Sequence, residues 1–94
     1  MAQRDVILSA KPCVYILRCA NGKYYVGSTT NLKLRMKEHQ EGKGCGFTKA
    51  HLPIELVYTE EHDTAEQAYN RERQIHGWSK AKKEKLISGE WGKQ

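Results

Sequence analysis

No apolar run in the 94 residues approaches the ~18 needed to cross a bilayer. The N-terminal stretch MAQRDVILSAKP is too short in apolar residues for a signal peptide. The expectation is therefore a cytoplasmic protein with no membrane partner. Cysteine is scarce: Cys13, Cys19 and Cys45 are an odd number with no paired short spacing, which fits neither a disulfide framework nor a zinc site. Free cysteine packs as a small hydrophobe, so thiols in or near the core are expected. Internal repeats, low-complexity tracts and heptads are missing as well. Acidic residues are the minority charge, 11 against 16 Lys and Arg, leaving a net charge of +5. A basic balance suits a polyanionic partner without specifying one. What remains, 38% hydrophobic and 29% charged, is enough for one domain with a single modest core.

The stretch that organises the chain is Cys13 to Gly27, CVYILRCANGKYYVG. Two runs rich in β-branched and aromatic residues flank Ala20-Asn21-Gly22, a hairpin signal. A two-residue Asn21-Gly22 loop would send Tyr15 and Tyr25 to opposite faces. A three-residue loop with Gly22 in the left-handed position makes partner numbers sum to 42, which puts Tyr15 across from Gly27 and Tyr25 across from Leu17. Both phenols then share one face, with open space expected over the Tyr15 ring. Val14, Ile16 and Val26 make a coherent apolar side on the other face, because alternate side chains of a strand point opposite ways. The three-residue loop is the reading adopted.

After the hairpin, Ser28-Thr29-Thr30-Asn31 is a cluster of capping residues that predicts a helix from there to about Glu41, stopped by Gly42. Arg35 and His39 lie four apart on it and share a face. Residues 42–53 read as a loop, and Ile54 to Thr59 as a third strand with Ile54, Leu56 and Tyr58 alternating against Glu55, Val57 and Thr59. Asp63 or Thr64 caps a second helix, with Thr64 and Gln67 spaced as a capping box, and the helix runs to about Ile75 or His76, with Gly77 marking its end. Ser79 caps a last, basic helix that stops near Ser88-Gly89. The expected fold is a small α+β domain of order β-β-α-β-α-α, with an antiparallel sheet of about three strands packed by helices. Residues 1–10 are expected to be a flexible lead-in, 11–88 the domain, and 89–94 a C-terminal tail.

Taken singly, the chemically interesting residues have plain readings. Tyr15 and Tyr25 are packed strand aromatics, and Arg35 and Glu72 are solvated helix charges. His39 is a surface or helix-end histidine, and Lys80, Lys82, Lys83 and Lys85 read equally as a phosphate-contacting patch or as a solvated amphipathic helix. Trp78 and Trp91 read as core or helix anchors.

As a set, they resemble the GIY-YIG nuclease domain. The hairpin carries Val14-Tyr15-Ile16 and, ten residues after its tyrosine, Tyr25-Val26-Gly27 followed by Ser28-Thr29. A helix follows with Arg35-x-x-x-His39, and a later one holds Glu72 within NRERQI. The resemblance spans roughly Lys11 to Ile87. The TK and LVY segments, Thr48-Lys49 and Leu56-Val57-Tyr58, make it most similar to the small stand-alone members. It is also similar to the nuclease modules of the bacterial excision-repair incision subunit and of branch nucleases. Two positions depart from the family pattern. Cys13 replaces the glycine that opens the first motif. No asparagine follows the glutamate helix, where the family usually has one; Ser88 and the lysines are the candidates to stand in.

The resemblance implies a divalent-metal-dependent DNA endonuclease, structure-specific and belonging to DNA repair or recombination. The cofactor would be one Mg²⁺ or Mn²⁺ ion held by Glu72, with no small-molecule cofactor. Tyr15, Tyr25, Arg35, His39 and Glu72 would be the catalytic set. Arg35 offers a planar fork suited to phosphate oxygens. Tyr15 would orient or deprotonate the attacking water. Only ~0.1% of a free phenol is ionised at neutral pH, so it needs help from the metal and Arg35 or from neutral His39. Tyr25 would hold phosphate or water. Lys49, Lys80, Lys82 and Lys83 would contact the DNA backbone. The alternatives are a nucleic-acid-binding module without cleavage, and a catalytic subunit that draws its specificity or activity from a protein partner.

Overall fold

Gly22 turns the chain at φ +83, and its amide donates to the Cys19 carbonyl at 2.8 Å while Asn21 Oδ1 accepts from the Lys23 amide. This three-residue turn fixes the register of strands β1 (Cys13–Arg18) and β2 (Tyr24–Thr29): Tyr15 pairs with Gly27 and Leu17 with Tyr25. The computed structural model describes residues 11–89. The expected lead-in and all of the tail except Gly89, including Trp91, lie outside the described residues.

The remaining elements are α1 (Leu32–Gln40), α2 (Gly46–Ala50), β3 (Glu55–Glu61), α3 (Ala65–His76) and α4 (Lys80–Ser88). The sheet is antiparallel with strand order β2-β1-β3. The central strand is covered on both faces, which is why Cys13 to Leu17 are all buried. One face carries Val14, Ile16 and Val26, on which Ala68 and Ile75 of α3 and Leu86 of α4 pack. The other carries Cys13, Tyr15 and Leu17 against Leu32 of α1. Burying each large aliphatic side chain contributes about 1.5–3 kcal/mol.

The expected β-β-α-β-α-α order holds, with two differences in detail. The 42–53 connection contains the short helix α2. Three glycines in its first half argue against a helix by propensity, so contacts made by Thr48 hold it instead. The strict alternation expected for the third strand also fails. Leu56 and Tyr58 pair with the adjacent residues Leu17 and Ile16, which leaves Val57 as the extra residue of a bulge. Leu56 therefore joins the Tyr15 side, while Val57 and Tyr58 both join the Val14 side.

The caps fall where the sequence places them. Asn31 Oδ1 accepts from Leu34 N, Thr64 Oγ1 from Gln67 N and Ser79 Oγ from Lys82 N, each stabilising its helix by about 1 kcal/mol. Gln67 Oε1 accepts from the amide of Asp63. Half-buried Glu60 ties β3 to α3 by accepting from Arg71 Nε at 2.9 Å.

Candidate active site

Leu32, Arg35, Met36 and His39 share the inner face of α1, at the i, i+3, i+4 and i+7 positions that meet a packing surface. Leu32 fills this face with hydrocarbon, but the last position is a histidine with no exposed surface. A buried imidazole has to be hydrogen-bonded at both nitrogens. His39 Nε2 lies 2.9 Å from the Tyr15 hydroxyl and Nδ1 lies 2.9 Å from Thr48 Oγ1. The plain reading of His39 as a surface residue is corrected by this burial, although it does stand in the last turn of α1.

Two glycines clear the space for the pair. A β-carbon on Gly27 would stand 2.5 Å from the Tyr15 phenol oxygen, so the space expected over this ring is filled by the phenol's own tip. A β-carbon on Gly44 would clash with the His39 ring at Nδ1. Tyr25 completes an aromatic cluster, its ring centroid 6.3 Å from Tyr15 and 5.3 Å from His39. Phe47 of α2 stacks on its outer side.

Ala68, Glu72 and Ile75 occupy the inner face of α3 at the i, i+4 and i+7 positions, with Ala68 and Ile75 in the core and Glu72 half-buried. Its carboxylate meets edge strand β2, where Ser28 Oγ donates to Glu72 Oε1 at 2.8 Å. Gly27 and Ser28 are consecutive and address opposite faces, so the Tyr15 phenol oxygen and the Glu72 carboxylate approach the same short piece of β2 from its two sides. Sequence reasoning quoted Ser28 in the motif without giving it a partner. Ser88 does not stand in for the late asparagine, because its hydroxyl donates to the Lys85 carbonyl within its own helix.

The electrostatics tie the set together. Burial, then Tyr25, pushes the Tyr15 phenol well above its ordinary pKa; Arg35 opposes this and Glu72 adds to it. Burial, Cys45 and Glu72 push Tyr25 up to about 12, again against Arg35. Arg35 and Glu72 thus act on the same two phenols. Arg35, half-buried, also lies 3.7 Å from Glu38 one turn on. Burial, followed by Arg35, lowers the His39 pKa and favours neutral imidazole. Burial raises the Cys45 thiol, but hydrogen bonds with Thr48 and Tyr25 outweigh it and leave its pKa lowered.

Among the described residues, no three His, Cys, Asp or Glu side chains converge as a metal-binding group. The donor set at this place is the Glu72 carboxylate, whose Oε1 is oriented by Ser28. A single hard oxygen ligand fits a Mg²⁺-type ion that keeps most of its shell for water and phosphate, and does not fit a zinc cage. Among the described residues, no helix is long and apolar enough to cross a membrane.

Not every sequence-predicted residue joins this cluster. Tyr15, Tyr25, Arg35, His39 and Glu72 come together around β2. Lys49 is exposed on α2 beside Thr48. Lys80, Lys82 and Lys83 belong to α4, which packs on the Val14 face. Lys80 Nζ sits 5.9 Å from the Tyr24 ring centroid and Lys82 Nζ 4.5 Å from that of Trp78. Thr48 was visible in the TK segment but carried no role there.

Residues 11–85 match the family model described as the GIY-YIG catalytic domain. A UPF0213 protein of Natronomonas pharaonis is 42% identical over 85 residues, 90% of this chain and 100% of that protein. Another from Staphylococcus saprophyticus is 40% identical over 78 residues, 83% of this chain and 95% of the relative. The solution NMR structure of a UPF0213 protein from Bacillus halodurans is similar at TM-score 0.54 and 39% identity, covering 82% of each chain.

Proposed function

The chain belongs to the GIY-YIG domain family, whose members are generally endonucleases acting on nucleic acid, and from that premise we propose that it is a divalent-metal-dependent DNA endonuclease. One observation carries the reading: the buried Tyr15–His39 hydrogen bond lies where the charges of Arg35 and Glu72 both act.

In the proposed reaction, water attacks phosphorus and the bond to the 3′ oxygen breaks. The raised pKa of Tyr15, caused mainly by burial, disfavours a standing phenolate as the base. Tyr15 instead accepts the water's proton as it passes its own to Nε2 of neutral His39, and imidazolium results. Arg35 neutralises charge gathering on the phosphoryl oxygens through its planar fork of donors. Tyr25 orients phosphate or water. Glu72, steadied by Ser28, would hold the metal ion, which when bound would supply Lewis-acid stabilisation of the departing group. Lys49 beside the cluster contacts the flanking backbone, and the α4 lysines meet DNA farther from the cut.

The test is cleavage of branched, flapped and nicked DNA with Mn²⁺, beside a Glu72→Ala control. Cutting by the wild type alone supports the enzyme; equal cutting by both, or none on any substrate, overturns it. The absent late asparagine favours one rival, a binding module without cleavage. That rival predicts DNA binding unaltered by Glu72→Ala and Tyr15→Phe, with no cut in any sample.

A further inference from the structure

We propose that Thr48 is a positioning residue that fixes the tautomer of His39, leaving Nε2 bare to take the proton of Tyr15. The inference deepens the reading of the site as a nuclease centre and rests on it for its catalytic consequence. The assignment itself rests on counting hydrogens.

Three buried groups form a chain: the Tyr15 hydroxyl, the His39 ring and the Thr48 hydroxyl, each with 1% or less of its surface exposed. The hydroxyl of Thr48 has one hydrogen and three acceptors in reach, His39 Nδ1 at 2.9 Å, the Cys45 carbonyl at 3.3 Å and Cys45 Sγ at 3.5 Å, and a hydrogen on either Cys45 atom leaves Nδ1 to donate. If it went to Nδ1, His39 would carry its proton on Nε2 and donate to the Tyr15 oxygen. The Tyr15 hydrogen would then have no acceptor, since His39 is its hydrogen-bond partner among the described residues. An unsatisfied buried donor of that kind costs about 1–3 kcal/mol. If it goes to the Cys45 carbonyl, an i to i−3 bond that helical threonines readily form, every hydrogen is placed. Nδ1–H donates to Thr48 Oγ1, and the Tyr15 O–H donates to the lone pair of Nε2. The second arrangement satisfies all three groups, in keeping with the described residues, where no buried side-chain polar atom lacks a partner.

The geometry also explains what α2 is for. Its five residues bury one side chain, that of Thr48, and Gly44 just before it lets the loop close over the imidazole. A merely structural threonine would need the volume of its side chain. A positioning threonine needs the hydroxyl. Thr48→Val keeps the volume and removes the hydroxyl, whereas Thr48→Ser keeps the hydroxyl.

The experiment reads the imidazole directly. Ring nitrogen shifts of His39, measured by two-dimensional NMR at pH 8 on the full chain, distinguish a protonated Nδ1 from a protonated Nε2. Wild type and Thr48→Ser are expected to show protonated Nδ1, and Thr48→Val to lose that preference. Cleavage by Thr48→Val is expected to fall about 100-fold, with most of the loss recovered in Thr48→Ser. A wild-type ring protonated on Nε2 overturns the proposal, as does an unchanged tautomer in Thr48→Val. If Thr48→Val fails to fold, the wild-type and Thr48→Ser shifts still decide. Should the wild type cut no DNA, the nuclease reading falls, while the nitrogen shifts judge the tautomer independently.

Discussion

The phenol oxygen of Tyr15 rests against the bare α-carbon of Gly27, its partner in the β1–β2 ladder, so closely that a β-carbon there would be 2.5 Å away. The pairing means that the residue across the strand from Tyr15 decides where its reactive end can sit. Gly27 is not in a left-handed conformation, so an alanine meets no backbone penalty and its effect is steric alone. Gly27→Ala is expected to push the phenol off His39 and to destabilise the fold by about 1–3 kcal/mol through overpacking. Thermal unfolding measures the second effect and DNA cleavage the first. Wild-type activity in Gly27→Ala would contradict the position assigned to Tyr15.

Ser28 offers a milder perturbation of the same strand. Its hydroxyl donates to Glu72 at 2.8 Å, and groups that orient a metal-binding carboxylate typically affect metal affinity or activity by about 10–100-fold when removed. Ser28→Ala is therefore expected to raise the Mn²⁺ concentration needed for half-maximal cleavage by at least about tenfold, with the maximal rate largely recovered at saturating metal. Glu72→Ala should not recover at any concentration. A Mn²⁺ titration of both variants checks the distinction.

The hairpin register was legible because one glycine and a run of alternating residues overdetermine it: only the three-residue turn puts Val14, Ile16 and Val26 on one side. The convergence on Tyr15 of Arg35 and His39 was partly legible, since i to i+4 spacing puts them on one helical face. The bulge at Val57 was not. Isoleucine, leucine and tyrosine at alternate positions satisfy the two-residue period equally well with or without an extra residue. Helix α2 was hidden by Gly42, Gly44 and Gly46, whose propensity argues for a loop; the bond from Thr48 to His39 that outweighs them joins residues nine apart. The Ser28–Glu72 contact joins residues 44 apart, and no local pattern encodes such a pair.

His39 gives the protein an acid sensitivity with a defined sign. Burial, helped by Arg35, lowers its pKa below the ordinary 6.5, so the unfolded chain binds the proton more readily than the folded one. Its contribution to stability is fully present above pH 6.5 and is lost as pH falls from there through the lowered folded value. The same neutral ring is the proposed proton acceptor, so cleavage should also decline on that limb. Tyr25, at about 12, and Tyr15, also raised, put no alkaline limb near neutrality. Melting temperatures and cleavage rates of wild type and His39→Gln, taken between pH 5 and 8, check both statements. The variant should lack the pH-dependent part of the stability, and any residual cleavage should lose the acid limb.

Lys49 separates contacts at the cluster from the charge of the whole chain. It is exposed on α2, next in sequence to buried Thr48, whereas Lys80 and Lys82 lie over the rings of Tyr24 and Trp78 on the other side of the sheet. Each phosphate neutralised by a lysine releases condensed counterion, so the logarithm of DNA affinity falls linearly with that of salt, by about 0.9 per contact on duplex DNA. Lys49→Ala is expected to weaken binding to every sequence alike and to reduce the salt slope by about one. Lys80→Ala and Lys82→Ala should change the slope less, because a lysine already over an aromatic ring must leave that contact to meet a phosphate. Fluorescence anisotropy with a labelled duplex from 50 to about 300 mM salt measures all three slopes. A slope unchanged in Lys49→Ala but reduced in both α4 variants would move the DNA path to the α4 side of the sheet, away from Tyr15 and His39, and would break the link between binding and the proposed cut.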